Sequence, residues 1–199
     1  MKSKLYEDYI VFDLDETVVN LRDGVQKQYH KATGKDIHWS EWVHVELKRV
    51  YGVDFMDIRD HMIHGEILEN ATLENFAVEI IKFFQGHGYK IGALTARAWH
   101  PDAVNVTIDY FKDKGVVFDK LHVIQPDQKK IDYLQHFGNV QLIVEDNPYH
   151  ALDFYKNGYK TVLIDRPWNR DLKDLTRINS LEQLKELFFE GHISKFNHS

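Results

Sequence analysis

Two aspartates stand two residues apart near the start of this chain, directly after a short apolar run. The run covers residues 9–12, and Asp13, Asp15 and Thr17 follow it at alternate positions. One carboxylate of such a pair can attack a phosphorus atom while the other transfers protons to and from the reacting groups. The pair is therefore a candidate for covalent catalysis, in which Asp13 would attack and Asp15, two residues further on, would transfer protons.

Groups that can bind a phosphate follow later apolar runs. Thr-Ala-Arg at residues 95–97 comes directly after the run 91–94, and Lys129 and Lys130 open a later helical pattern. Hydroxyl groups and cations stabilise the negative charge on phosphate oxygens. Helical phase favours Lys130 over Lys129 as the lysine that faces the site. The predicted substrate-binding residues are Thr17, Thr95, Ala96, Arg97 and Lys130.

A further pair of acids indicates a metal ion. Glu145 and Asp146 follow the apolar run 140–144. A carboxylate that attacks a phosphate dianion meets like-charge repulsion, which a divalent cation held by Asp13 and Asp146 would reduce. Oxygen-only ligands favour Mg²⁺ over zinc. Two roles stay open for Glu145, which could bind the metal through water or orient a neighbouring group.

Five short apolar runs predict the strands of a parallel sheet. They are residues 9–12, 91–94, 121–124, 140–144 and 161–164. Helical patterns separate them, at residues 73–84, 103–111, 131–137 (after Asp127 as an N-cap) and 181–189. Alternating strands and helices are typical of a doubly wound α/β fold, in which ligands bind beyond the carboxyl ends of the strands. We therefore expect the candidate residues to meet at one edge of the sheet.

The interval between the first two runs breaks this alternation. Residues 21–32 and 40–51 have the apolar spacing of amphipathic helices, and the segment 20–69 contains no clear strand pattern. We predict a core domain of residues 1–19 and 70–199, into which a small helical subdomain, residues 20–69, is inserted.

Composition restricts the class of protein and its partners. Hydrophobic residues make up 43% and charged residues 28%, which is typical of a globular domain, and the net charge of −6 argues against nucleic-acid or anionic-membrane binding. Without cysteine the chain cannot form disulfides or use thiol catalysis. No apolar run has membrane-spanning length and no signal-peptide pattern is present, so we expect a cytoplasmic protein.

The candidate residues, taken in order, resemble the motifs of the haloacid dehalogenase-like (HAD) phosphatases. Residues 13–17, Asp-Leu-Asp-Glu-Thr, resemble the first motif, and residues 94–97, Leu-Thr-Ala-Arg, resemble the second. Lys130 is similar to the lysine of the third motif, and residues 145–148, Glu-Asp-Asn-Pro, to the acidic fourth motif. That fourth motif usually begins with two aspartates, so Glu145 departs from the pattern. The resemblance covers about residues 6–170.

This resemblance implies a five-stranded parallel sheet with a helical cap between the first and second motifs. It also implies an aspartyl-phosphate intermediate on Asp13. Asp15 would transfer protons and bind Mg²⁺ through its backbone carbonyl, and Asp146 would be a further metal ligand. Thr95 and Lys130 would bind the phosphate.

The second motif, the small insert and the loop 165–170, Asp-Arg-Pro-Trp-Asn-Arg, resemble the 5′(3′)-deoxyribonucleotidase branch of these phosphatases. This finer resemblance implies a nucleoside monophosphate as the substrate, with Arg166 or Arg170 in contact with it. Four tryptophans could either pack in the core or stack on a base; they are Trp39, Trp42, Trp99 and Trp168.

Several alternatives remain. The substrate could be a sugar phosphate, another small phosphometabolite or a polynucleotide 3′-phosphate, although the net charge disfavours the last. A phosphorylated protein tail needs an open cleft, and the insert at residues 20–69 argues against one. The non-enzyme alternatives are a nucleotide-binding protein and a phospho-acceptor domain. The sequence indicates no particular oligomeric state.

Overall fold

The computed structural model describes residues 7–193 and places a six-stranded parallel sheet at the centre of the protein. The strands in chain order are β1 (Asp8–Phe12), β2 (Val19–Asn20), β3 (Thr72–Leu73), β4 (Lys90–Thr95), β5 (Lys120–Val123), β6 (Asn139–Glu145), β7 (Thr161–Ile164) and β8 (Thr176–Ile178). The order across the large sheet is β5-β4-β1-β6-β7-β8, and β2 pairs with β3 in a separate antiparallel ribbon. The α/β class and the parallel sheet predicted from the sequence are confirmed.

Seven α-helices and several short 3₁₀ segments connect the strands within residues 7–193. The helices are α1 (Arg22–Thr33), α2 (Lys48–Tyr51), α3 (Arg59–His64), α4 (Ala77–Gly86), α5 (Ala103–Lys112), α6 (Pro148–Lys156) and α7 (Gln183–Phe189). The 3₁₀ segments are Trp39–Glu41, Met56–Ile58, Lys130–His136 and Pro167–Asn169. Within the described residues, no helix combines the length and apolar character that a membrane crossing requires.

Strand β1 forms because its apolar side chains are buried on both faces of the sheet. Ile10 and Phe12 pack into the larger core cluster, which includes residues of α4, α5 and α7. Tyr9 and Val11 point the other way, into a second cluster with Leu134 and other residues near α6. Side chains alternate between the two faces of a strand, so a continuous apolar run suits a strand that is covered on both sides.

The sheet has six strands and not the five that the sequence predicted. The additional strand, β8, pairs in parallel with β7 at the edge of the sheet, with Ile164 opposite Ile178. Its sequence is Thr-Arg-Ile, and only Ile178 is buried. An edge strand with a single buried side chain has no apolar run, which is why the sequence pattern did not reveal it.

The predicted helix at residues 40–51 is wrong. The structure has a 3₁₀ turn at Trp39–Glu41 and a single helical turn, α2, while the backbone between them is irregular. The apolar side chains of Trp42, Val45 and Leu47 all line one cavity from this irregular segment. Their spacing therefore reflects a shared surface and not a helical repeat.

Three further predictions differ in detail from the structure. The predicted helix at 73–84 begins only at Ala77, because Leu73 belongs to β3 and Phe76 has a left-handed backbone conformation with φ of 66°. The predicted strand-free segment 20–69 begins with Asn20 of β2. The helix predicted at 131–137 is the 3₁₀ segment Lys130–His136, which has no side-chain cap from Asp127.

The pairing of β2 with β3 brings together the two ends of the intervening segment, residues 21–71. Val19 lies opposite Leu73, and Asn20 lies opposite Thr72. The predicted core domain also includes residues 1–6 and 194–199, which lie outside the described residues.

We expect Gly92 in β4 to tolerate no side chain. A methyl group at this position would lie 2.7 Å from Cδ1 of the fully buried Phe137 and 3.3 Å from Cγ2 of Val11. Gly92→Ala should therefore lower the free energy of unfolding by about 1–3 kcal/mol in urea titrations. The matched control is Gly86→Ala in α4, where nothing lies within 4 Å and the change should stay within about 1 kcal/mol. Equal effects of the two substitutions would contradict this account of the packing.

Candidate active site

The carboxyl ends of the central strands bring the candidate residues together. Strand β1 lies between β4 and β6, so the segments that follow these three strands are neighbours in space. Pairing continues one residue beyond β1, because the backbone N–H of Asp13 donates a hydrogen bond of 2.9 Å to the carbonyl oxygen of Val144. This contact fixes Asp13 beside the end of β6, where Glu145 and Asp146 follow.

Three buried carboxylates form a compact cluster at this edge. Asp13, Glu145 and Asp146 each offer an oxygen, and these oxygens all lie within 4.8 Å of one another. Lys130 reaches the cluster from the 3₁₀ segment, with Nζ at 2.6 Å from Oδ1 of Asp13 and 2.8 Å from Oε2 of Glu145. Lys129 is exposed, so Lys130 is the lysine that faces the cluster.

Neighbouring side chains hold Asp146 in place. Trp168 donates from Nε1 to Oδ2 of Asp146 at 2.8 Å, and the Thr17 hydroxyl donates to Oδ1 at 3.4 Å. Asn169 donates from Nδ2 to the backbone carbonyl oxygens of Asp146 and Ile164, at 2.7 and 2.8 Å. The loop after β7 and the turn after β1 thus fix the orientation of this carboxylate.

Glu145 orients its neighbours, which was one of the two roles that the sequence left open. Its Oε1 accepts hydrogen bonds from the backbone N–H groups of Asp146, at 3.2 Å, and Asn147, at 3.0 Å. Its other oxygen accepts from Lys130. Glu145 therefore shapes the turn that leads into α6 while it also belongs to the acidic cluster.

Burial controls the charge of the cluster. Removal from water raises the pKa of Asp13 and of Asp146, and the nearby charge of Glu145 raises both further. Burial alone would lower the pKa of Lys130, but the attraction of Asp13 and Glu145 outweighs it, so the pKa of this lysine is raised. Three carboxylates thus face one ammonium group.

The donor set fits a hard divalent cation. Among the described residues, the carboxylate oxygens of Asp13, Glu145 and Asp146 lie close enough together to coordinate one ion, and Lys130 is the cation beside them. Oxygen donors of this kind suit Mg²⁺. Asp13, Asp146 and Glu145 are the residues that could hold it, directly or through water.

Asp15 lies beside the cluster, but its carboxylate has a different partner. Its Oδ1 accepts from Nε of Arg97 at 2.9 Å and from Nη2 of the same residue at 2.6 Å. The Asp15 side chain is 26% exposed and lines the cavity described next. Its neighbour Glu16 has a left-handed backbone with φ of 61°, which turns the chain sharply after Asp15.

A cavity of about 230 Å³ opens above the acidic cluster. Asp13, Asp15, Lys130, Glu145 and Asp146 form its polar floor, and much of its wall is aromatic. Trp42 and Phe55 lie between β2 and β3, while Trp99 follows β4 and Trp168 follows β7. The rings of Trp42 and Trp168 have centroids 6.3 Å apart, and those of Phe55 and Trp99 are 5.0 Å apart.

The remaining predicted substrate-binding residues have varied surroundings. Ala96 lines the cavity. Thr95 is fully buried, and its hydroxyl has no hydrogen-bond partner within residues 7–193. Thr17 is also fully buried and contacts Asp146. Arg97 is fully buried against Asp15.

The two arginines expected to contact a substrate have protein partners instead. Arg166 donates from Nη2 to Oε1 of Glu74 at 2.7 Å and from Nε to the carbonyl oxygen of Glu16 at 2.8 Å. Arg170 is paired with Asp165 at 2.8 Å. Neither lines the cavity among the described residues.

Sequence reasoning missed a buried ion-pair network next to the site. Arg22 binds Glu16 at 2.6 Å and Glu74 at 2.7 Å, and Glu74 also binds Arg166. Burial raises the pKa of Glu16 to about 7, although Arg22 opposes this shift. Glu16 and Arg22 are only six residues apart, but Glu74 and Arg166 are distant in sequence from them and from each other, so no motif spacing joins the four.

His150 is a second residue that the sequence reasoning missed. It lies in the first turn of α6 and lines the cavity. Burial lowers its pKa to about 4, and the positive charge of Lys130 contributes, so the imidazole is neutral at physiological pH. Its position two residues after Pro148, at the start of a helix that follows the acids, was a signal that could have identified it.

Comparisons by sequence give no relative for this chain. No protein-family model matches it, and no curated protein matches it.

Solved structures share its fold. A predicted phosphatase from Clostridium acetobutylicum is 14% identical, covers 94% of this chain and 99% of its own, and has a TM-score of 0.69. The L-2-haloacid dehalogenase from Xanthobacter autotrophicus is 13% identical, with coverages of 92% and 98% and a TM-score of 0.60. A HAD-hydrolase from Bacillus subtilis, solved with bound magnesium, is 17% identical, with coverages of 92% and 99% and a TM-score of 0.58. The chain therefore has the fold of the HAD-superfamily hydrolases.

Proposed function

We propose that this protein is a magnesium-dependent phosphomonoesterase that acts through an aspartyl-phosphate on Asp13. The observation that carries the proposal is the position of Asp13 on the cavity floor, 2.6 Å from Lys130 and clustered with Asp146 and Glu145. A nucleophilic carboxylate, a cation and a set of metal-binding oxygens at one point are what transfer of a phosphoryl group to the protein requires. The similarity of the fold to that of a predicted phosphatase supports the same reaction class.

In the first step, a carboxylate oxygen of Asp13 attacks phosphorus and the bond from phosphorus to the leaving oxygen breaks. Asp15 gives its proton to that leaving oxygen. In the second step, Asp15 takes a proton from water as the water oxygen attacks phosphorus, which breaks the bond to Asp13 and releases phosphate. After the second step Asp13 is again a free carboxylate and Asp15 is again protonated.

The other residues of the site stabilise charge during these steps. Lys130 favours the ionised form of Asp13 and can stabilise the charge on a phosphate oxygen, and the unpartnered hydroxyl of Thr95 can donate to another. Bound by Asp13, Asp146 and the backbone carbonyl of Asp15, Mg²⁺ would reduce the repulsion between the nucleophile and the phosphate dianion. Glu145 would orient the turn that carries Asp146.

The aromatic wall supports a nucleoside monophosphate as the substrate. Trp42, Phe55, Trp99 and Trp168 present apolar rings above a polar floor, so a molecule with one flat apolar end and one phosphate end fits the cavity. We further propose that residues 20–69 form a cap subdomain that encloses such a small substrate. A sugar phosphate would leave the rings without a flat partner.

The substrate can be identified with a panel of phosphomonoesters. We expect phosphate release to be fastest, as kcat/KM, for a nucleoside monophosphate in the presence of Mg²⁺ and to stop when EDTA is added. Sugar phosphates, phosphopeptides and a 3′-phosphorylated oligonucleotide are the comparison substrates. Chloride release from 2-chloropropionate tests the dehalogenase reaction. Faster hydrolysis of a sugar phosphate than of every nucleotide would contradict the nucleotide assignment. The absence of phosphate release from every compound in the panel would contradict the phosphatase function.

Asp13→Asn should abolish turnover because an amide cannot form the phosphoenzyme. We expect a loss of about 10³-fold or more in kcat, with an unchanged circular-dichroism spectrum. Acid quenching should trap phosphate on the wild-type protein and not on the variant. The exposed Asp127 supplies the matched control, since Asp127→Asn should keep full activity. A variant at position 13 with near wild-type activity would exclude Asp13 as the nucleophile.

The metal-free protein should lose stability as the pH rises from about 4 to about 7. The pKa values of Asp13, Asp146 and Glu16 are raised in the folded state, so the folded protein binds more protons than the unfolded chain in this range. The free energy of unfolding therefore falls with increasing pH. Urea titrations in EDTA measure this dependence.

Mg²⁺ should oppose this loss, because it binds the ionised carboxylates. We expect it to raise the Tm more at pH 8 than at pH 5, and to have a much smaller effect on Asp146→Asn. An equal rise of Tm at both pH values would contradict binding at the carboxylate cluster.

A further inference from the structure

We propose that Arg97, held by Thr107, is a positioning residue that fixes the Asp15 carboxylate for proton transfer. This inference rests on the proposed phosphatase function and replaces the expectation that Arg97 binds the substrate. It assigns the two oxygens of Asp15 to different tasks, one anchored in the protein and one turned to the reaction.

All three guanidinium nitrogens of Arg97 are occupied by protein partners. Nε and Nη2 donate to Oδ1 of Asp15 at 2.9 and 2.6 Å, and Nη1 donates to the hydroxyl of Thr107 at 3.0 Å. The Arg97 side chain is 0% exposed. A buried guanidinium with these contacts has no face to offer a phosphate, so direct substrate binding does not fit the geometry.

The three residues come from three different elements of the fold. Arg97 follows β4, Thr107 lies in α5 and is fully buried, and Asp15 lies in the turn after β1. A buried cation needs a partner charge, because leaving it unpaired costs several kcal/mol. Asp15 supplies that charge, and Thr107 fixes the direction of the guanidinium plane, so the Asp15 carboxylate has one defined orientation.

This orientation determines which oxygen of Asp15 carries the proton. Oδ1 accepts two hydrogen bonds from Arg97, whereas Oδ2 accepts none within residues 7–193. Oδ2 is therefore the oxygen of Asp15 that is free for proton transfer, and the carboxylate lines the cavity where the leaving oxygen would lie. The proton moves from Oδ2 to the leaving oxygen in the first step and returns from water in the second.

The ion pair between Arg97 and Asp15 also means that the two aspartates contact different cations. Asp13 contacts Lys130, and Asp15 contacts Arg97. Without Arg97, the Asp15 carboxylate could turn toward Lys130 and compete with the nucleophile. Arg97 thus separates the nucleophile from the acid–base group although they are only two residues apart.

A dependence on the leaving group distinguishes positioning from a purely structural role. Phenolate is a strong base that leaves readily only when protonated, whereas 2,4-dinitrophenolate leaves without a proton. Phenyl phosphate and 2,4-dinitrophenyl phosphate share one ring and one phosphate, so both can occupy the cavity in the same way. Release of the phenol in a single turnover, with Mg²⁺, measures the first step alone.

Arg97→Lys should slow phenol release from phenyl phosphate by about 10²-fold and that of dinitrophenol by less than about 3-fold. Thr107→Val replaces the hydroxyl by a methyl group and should slow phenol release from phenyl phosphate by about 10-fold. Thr107→Ser keeps the hydroxyl and should retain wild-type rates. Arg59→Gln, at an exposed arginine of α3 that pairs with Asp60, is the control for loss of an arginine elsewhere and should leave both rates unchanged. If Arg97→Lys does not fold, the comparison of Thr107→Val with Thr107→Ser tests the proposal.

A double substitution gives an independent check. In an Asp15→Asn background, Arg97→Lys should cause no further loss with phenyl phosphate, because the proton donor is already gone. Additive losses would overturn the proposal, as would equal losses for the two leaving groups or an effect confined to KM. A wild-type protein that releases neither phenol would overturn the phosphatase function and this inference with it.

Discussion

The buried ammonium group of Lys130 holds two strand ends together. It lies 2.6 Å from Asp13, which follows β1, and 2.8 Å from Glu145, which ends β6. Without this cation, three carboxylates would share a water-poor edge of the sheet, and their repulsion would drive them to bind protons or move apart. The lysine allows the acids to stay close and leaves enough negative charge for a divalent ion, so the placement of Asp13 and Asp146 depends on it.

Much of this arrangement follows from short-range information in the sequence. The apolar run of β1 predicted a buried strand, and the acids that follow it had to lie at the carboxyl edge of a parallel sheet. The sequence thus predicted that Asp13 and Asp146 share this edge, whereas the strand order that places β6 beside β1 is visible only in the structure. The sixth strand was not, because β8 buries only Ile178 and carries no apolar run.

Contacts between distant segments explain the remaining differences. The sequence pattern suggested Arg97 and Arg166 as substrate contacts, but burial and ion pairing give them the protein partners Asp15 and Glu74. Helical spacing over residues 40–51 arose from side chains that face one cavity. A pattern read along the chain cannot distinguish a charge that meets a ligand from one that meets another part of the same protein, because that depends on the tertiary fold.

The ribbon of β2 and β3 places the two ends of the segment 21–71 side by side, with Val19 opposite Leu73. The free-energy cost of closing a loop at its base rises only slowly with the length of the loop, by about 0.6 kcal/mol for each doubling. Evolution can therefore lengthen, shorten or replace the segment that supplies Trp42 and Phe55 without disturbing the acids on β1 and β6. The aromatic wall of the cavity can therefore change in shape while the acidic cluster keeps its geometry.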